Sequence, residues 1–205
     1  MADPIDAPRS AMGDHVAAKR YGRLDGAAGV LAAELAGRSI AAIAARPGKR
    51  RALADALQQA FGLPLPAAPR REVGQGIAIE WGGPDRWLVI ANREPAGGIE
   101  AHLASLAGHA SIVDQSHGLL QLRVSGPAVR QALAKGVVID LHPRAFKPGD
   151  VAATIVSHIA VTLVMLDDAP SYEILTPRSS ALSFWHWLEA SAAEFGLAVE
   201  LARPA

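Results

Sequence analysis

The chain contains no cysteine. Disulfides, thiolate nucleophiles and Cys-ligated zinc or iron–sulfur centres are therefore excluded. An excess of either charge is absent as well: 20 Lys and Arg stand against 20 Asp and Glu. Neither nucleic acid nor an anionic membrane surface is the expected partner of such a chain. Neutrality also leaves little charge repulsion against a protein partner. Long hydrophobic runs are absent. Charge or proline breaks each apolar stretch well short of the ~20 residues that a membrane span needs. The start, "MADPIDAPRSAMGDHVAAKRYG", lacks the apolar segment of a secretory signal. The expectation is a cytoplasmic protein.

Metal-ligand spacing is lacking too. The histidines are His15, His102, His109, His117, His142, His158 and His186, and none forms an HxH or HExxH pattern. Structural or surface roles are expected for all of them. A buried neutral ring with one hydrogen bond would account for His158.

What is present is an ordinary globular composition, half hydrophobic and one fifth charged over 205 residues. This suffices for one core or two closely packed halves. Residues 1–22 show no apolar period and are expected to form a flexible N-terminal arm. "GAAGVLAAELAG" suggests a short helix weakened by its glycines. "RSIAAIAARPG" reads as a strand. "KRRALADALQQAFG" reads as a helix with Leu53, Ala54, Leu57 and Phe61 on one face and Gly62 as its stop. "GIAIEWGGPDRWLVIAN" reads as a hairpin, "GGIEAHLASLAG" as a helix and "ASIVDQS" as a strand.

The second half follows the same order. "LLQLRVSGP" is a strand and "AVRQALAKG" a helix. "VAATIVSHIAVTLVMLDD" offers one long strand or two short ones, and "SYEILTP" is another strand. "SSALSFWHWLEASAAEFG" is a helix capped by Ser179 or Ser180, with Leu182, Trp185 and Leu188 on one face. "LAVEL" closes the series. The recurrence predicts an α+β fold of duplicated strand–helix–strands–helix halves with mixed or antiparallel sheets. The halves are placed at 23–118 and 119–205, sharing one compact unit.

"LRVSGPAVRQALAKG" and "IDLHPRAFKPGD" resemble the aminomethyltransferase, or glycine-cleavage T-protein-like, superfamily. "WGGPDRWLVI", "DQSHGLLQLRVSGP", "DLHPRAFKPG" and "PRSSALSFWHWLEASAAEFG", in this order, resemble the gamma-subunit family of heterotetrameric sarcosine oxidase over about residues 24–201. The resemblance implies a folate-binding-domain-like fold and a place beside alpha, beta and delta subunits. It implies an enzyme that oxidatively demethylates sarcosine to glycine and passes the one-carbon unit to tetrahydrofolate. The flavins (FAD and FMN), NAD, tetrahydrofolate and zinc would belong to the other subunits, with no cofactor in this chain. Self-association of the isolated chain is left open. The alternative is a stand-alone folate-binding one-carbon protein.

The resemblance also implies a departure. Catalytic members of the superfamily carry an acid in a mid-domain strand facing the folate, and the comparable "SHIAVTLVML" has none. Asp167 and Asp168 follow it, where a turn is expected. No catalytic residue is assigned. Asp114, Ser116 and His117 look like a nucleophilic group, but strand neighbours alternate faces and no GxSxG elbow surrounds them. A polar turn is the plainer reading.

The stretch "IDLHPRAFKPGD" has no carboxylate pair. Pro143 restricts His142 to extended geometry. Arg144 and Phe146 then alternate outward, and Arg with Phe on a stiff loop suits a binding surface. A contact surface and a self-contained ordered turn both remain open. The partner-interface candidates are His142, Arg144, Phe146 and Trp187. Trp187 is included because Trp185 and Trp187 face different ways on one helix.

Overall fold

The computed structural model describes residues 10–200. In chain order the elements are β1 (Arg20–Tyr21), β2 (Val30–Glu34), β3 (Ser39–Ala45), α1 (Arg50–Phe61), β4 (Arg71–Val73), β5 (Ile77–Gly83), β6 (Arg86–Ala91), α2 (Gly98–His102) and β7 (Ala110–Asp114). There follow β8 (Leu119–Ser125), α3 (Val129–Leu133), β9 (Val151–Val156), β10 (Ile159–Asp167), β11 (Ser171–Pro177), α4 (Ala181–Ala192) and β12 (Leu197–Val199).

The strands form two sheets, ordered β4-β5-β6-β3-β7 and β1-β12-β2-β8-β11-β10-β9. The duplication is visible in this order. β4-β5-β6-β3 in the first sheet corresponds to β9-β10-β11-β8 in the second, each a strand, a helical crossover and a hairpin. The copies diverge beyond that core. β7 pairs directly with β3, whereas β2 inserts between β8 and β12 and runs parallel to β12.

Alternation along the strands builds four layers. In the first half Ile43, Ile79 and Val89 face Leu53 and Leu57 of α1 and Ile99 of α2. In the second half Leu122, Val124 and Ile174 face Val129 and Leu133 of α3 and Phe184, Trp185 and Leu188 of α4. Between the sheets lie Ile40, Ile90 and Leu175, flanked by Leu88 and Leu119. Helices thus cover the outside and the two sheets meet face to face.

Local signals hold in several places. α1 ends at Gly62, whose φ of 67° lets its N–H reach the Gln58 carbonyl at 3.0 Å. Ser157 and His158, with φ of 46° and 74°, make the two-residue turn between β9 and β10. That turn leaves His158 exposed, so of its two readings the surface one is observed and not the buried ring.

Four further expectations need correction. The segment read as a short helix at 26–37 contains strand β2. Partner strands on both sides satisfy its backbone, and this outweighs the helix preference of its alanines. Leu182 does not share the buried face of α4. The apolar stripe runs through Ala181, Phe184, Trp185, Leu188 and Ala192, which turns Leu182 outward at 46% exposure. Ser180 sits at the start of α4 without a side-chain capping bond.

The fourth concerns the arm. Residues 1–9 lie outside the described residues. From residue 10 onward the segment is docked: Met12 is 1% exposed in the second-half core, and β1 adds to the edge of its sheet beside β12. Burial of a methionine and a strand pairing hold what composition alone suggested was loose. By strand pairing, β1 and β2 therefore join the second half, although the boundary expected at 118/119 left them before it. Among the described residues no helix is long and apolar enough to cross a membrane.

Candidate functional site

The loop from Ile139 to Asp150 is held by its own polar groups. Asp140 Oδ1 accepts from the His142 N–H at 2.8 Å. The His142 carbonyl accepts from the N–H groups of Ala145 and Phe146 at 2.8 and 3.0 Å. His142 Nδ1 accepts from the Arg144 N–H at 3.2 Å, which places the neutral ring's proton on Nε2. Asp150 Oδ2 accepts from the Lys147 N–H at 2.7 Å, and Asp150 pairs with Arg70. The bonds from residues 145 and 146 to the 142 carbonyl make one helical turn. That turn has a period near 3.6, and the expected outward alternation assumed a period of two.

The consequence is a correction for Phe146. It is 6% exposed, belongs to the second-half core and stacks on Tyr172 with ring centroids 6.5 Å apart. Phe146 anchors the loop from beneath and is not a surface group. His142 and Arg144 are exposed. Trp187 is half-buried, packed on Phe184 at 5.7 Å between centroids and lying directly over Gly136, where a Cβ would come within 2.7 Å of the indole. The structure therefore places Trp187 beside the residues leading into the loop, and Phe146 inside.

Asp114, Ser116 and His117 form a polar turn. Asp114 Oδ1 accepts from the Ser116 N–H at 2.7 Å, and Ser116 Oγ accepts from the Ile40 N–H at 3.0 Å. The serine oxygen thus closes the start of β3. Asp167 serves the β10–β11 turn, accepting from Ser171 Oγ at 2.6 Å and from the Ala169 N–H at 3.1 Å. Among the described residues no three His, Asp or Glu side chains gather as a metal site.

A second constellation lies between the sheets. Glu80 of β5 and Glu173 of β11 point inward and meet Arg71 and Arg38. Arg71 Nη1 donates to Glu173 Oε2 at 3.1 Å and lies 3.4 Å from Glu80 Oε1. Arg38 Nη1 lies 3.0 Å from Glu173 Oε2 without hydrogen-bond alignment. Glu80 is fully buried and neither of its oxygens has a hydrogen-bond partner. Burial pushes its carboxyl up to about 8. The Arg71 charge opposes this, the Glu173 charge adds to it and Arg38 opposes it. At neutral pH Glu80 is thus a neutral acid beside a carboxylate gripped by two guanidinium groups. This group was missed at the sequence level. Its only signal is a single acid at an inward position of each apolar strand, "AIEW" and "YEIL".

A cleft of ≈ 430 Å³ opens where β9 and β10 face β3 and β6. Leu88, Leu119, Val161 and Leu175 line it, with Gln115, Thr154 and Thr162 as its polar groups and no charged side chain. The buried Glu80–Arg71–Glu173 group does not reach it.

The profile of the family described as "Sarcosine oxidase, gamma subunit family" matches residues 45–194. The chain belongs to that family. Among its relatives, the sarcosine oxidase subunit gamma of an Arthrobacter species is 32% identical over 171 residues, covering 82% of this chain and 83% of the relative. The subunit gamma of Corynebacterium sp. (strain U-96) is 33% identical over 147 residues, 70% of each chain. A chain of the heterotetrameric sarcosine oxidase from Corynebacterium sp. U-96, solved in complex with pyrrole 2-carboxylate, superposes with a TM-score of 0.72 at 30% identity. It covers 81% of this chain and 85% of that one. The glycine cleavage system aminomethyltransferase T from Bartonella henselae shares the fold, with a TM-score of 0.55 at 12% identity over 48% of its length. The expected folate-binding-domain-like α+β fold is the one observed.

Proposed function

We propose that this gamma-family chain is the noncatalytic assembly subunit of a heterotetrameric sarcosine oxidase with alpha, beta and delta partners. In this reading the complex demethylates sarcosine to glycine and hands the one-carbon unit to tetrahydrofolate. FAD, FMN, NAD, tetrahydrofolate and zinc are held by the partners.

One observation carries the noncatalytic role. The strongly perturbed carboxyl, Glu80, is sealed between the sheets, while the cleft between β9, β10 and β3, β6 is lined without a single charged side chain. A general acid or base must reach the group it serves, and Glu80 has no access to the cleft. The cleft also fails to fit tetrahydrofolate, whose carboxylates call for Arg or Lys in the lining. The stand-alone folate-binding reading is therefore not favoured.

The contact surface in this reading includes the exposed His142 and Arg144 and the uncovered flank of Trp187. Phe146 supports it from within. Purifying the chain alone and with its three co-expressed partners tests the role. The expected result is a colourless isolated chain without sarcosine-dependent peroxide formation, recovered in a stable four-subunit complex when co-expressed. Flavin retained by the isolated chain, saturable binding of folinic acid, or a fully active complex formed without this chain would overturn it.

A further inference from the structure

The loop at Ile139–Asp150 has a charge arrangement that the assembly reading does not by itself explain. Both of its acids are engaged by the loop's own frame, Asp140 while staying exposed: Asp140 caps the His142 N–H, and Asp150 holds the Lys147 N–H and pairs with Arg70. Its cations are not. Arg144 and Lys147 are exposed and, among the described residues, neither side chain meets an acid. With Arg70 counted, three cations meet two acids here, in a chain whose total charge is zero. His142 adds an Nε2–H donor, since its Nδ1 is taken by the Arg144 N–H.

The backbone that carries these groups is fixed before any partner arrives. Pro143 and Pro148 restrict it, the turn bonds at His142 close it, and Phe146 is sunk in the core. Val138, 72% exposed, lies immediately before the loop. Donors on a rigid frame lose little conformational entropy on docking, and Arg with its planar fork matches a carboxylate in two bonds. The exposed Val138 just before the loop supplies apolar area.

We infer that this loop docks an acidic segment of a partner subunit, its carboxylates meeting Arg144, Lys147 and His142 with an apolar residue against Val138. The inference rests on the assembly reading above. It specifies the chemistry of the partner at this surface, which that reading leaves open.

The test uses the full chain with its three co-expressed partners. Affinity for the three-subunit remainder is measured across a salt series for the parent, for Arg144→Glu with Lys147→Glu, and for Ala145→Trp. Ala145 is exposed between the cations, so the tryptophan is a steric block that leaves charge unchanged. The charge reversal should weaken assembly at least tenfold with an unchanged melting temperature. The parent should lose affinity as salt rises and the reversed chain should not. Ala145→Trp should also block assembly. If the steric variant blocks assembly while charge reversal and salt do nothing, the loop is a contact but its partner is not acidic, and the inference falls alone. If neither variant matters, the loop is not a contact and the contact surface of the assembly reading falls with it. Should charge reversal lower the melting temperature, Arg144→Gln with Lys147→Gln replaces it. A smaller loss of affinity with a flatter salt response is then expected, and an unchanged affinity overturns the inference.

Discussion

Strand β11 divides two unlike interiors with consecutive residues. Tyr172 and Ile174 turn to the helices, where Phe146, Phe184 and Trp185 make a dry aromatic and aliphatic core. Glu173 and Leu175 turn to the opposite sheet, where Leu175 meets Ile40 and Ile90 while Glu173 meets Arg38 and Arg71. The outer interior is held by area removed from water, a non-directional effect that is lost when a buried ring is removed. The inner one combines a small apolar patch with charges that are stable only while every partner is present. One sheet therefore carries one face held by buried area and another held by paired charges.

The largest expected effects set the two faces against each other directly. Phe146→Ala removes a buried ring and should lower stability by about 3–5 kcal/mol in a denaturant titration. A loss below about 1 kcal/mol would return the side chain to the surface. Glu173→Ala should cost a similar ~3–5 kcal/mol, because it strands two guanidinium groups between the sheets. If it proved neutral, the inner face would not depend on its charge pairing.

Glu80 sharpens the contrast through pH. Its ordinary pKa of 4.5 rises to about 8 in the folded chain, so the native state binds the extra proton between those values. Stability from this group is full below about 4.5 and is lost as pH rises through about 8. The parent's melting temperature should therefore fall between pH 5.5 and 8.5, and Glu80→Gln should flatten that fall. Equal slopes for parent and variant would show that Glu80 ionises like an exposed acid. The smallest effect belongs to the solvent side of α4: Leu182→Ala should change stability by no more than about 0.5 kcal/mol. A loss near that of a core leucine would restore it to the buried face.

The order of elements was legible in the chain because each core strand and helix carries its own local signal. "LLQLRVS" alternates, "SIAAIAA" and "SYEILTP" are short apolar-rich runs, and Leu53 with Leu57 marks one face of α1. The duplication was legible for the same reason, since two copies of one pattern repeat the same turn and helix signals. Segments whose structure depends on distant partners were not. β2 is a strand only because β8 and β12 flank it, and Met12 is fixed only because the second-half core receives it. The candidate surface was half legible. Exposed His142 and Arg144 follow from a proline-fixed polar loop, but the helical turn that sends Phe146 inward arises from hydrogen bonds no local period announces. The charge group is the extreme case. Arg38, Arg71, Glu80 and Glu173 come from four separate segments, and only the packing of one sheet on the other brings them together and lifts the Glu80 pKa. Local pattern specified which faces were apolar. Burial and proximity between remote segments, set by how the sheets stack, decided which charges became neutral and which side chains reached solvent.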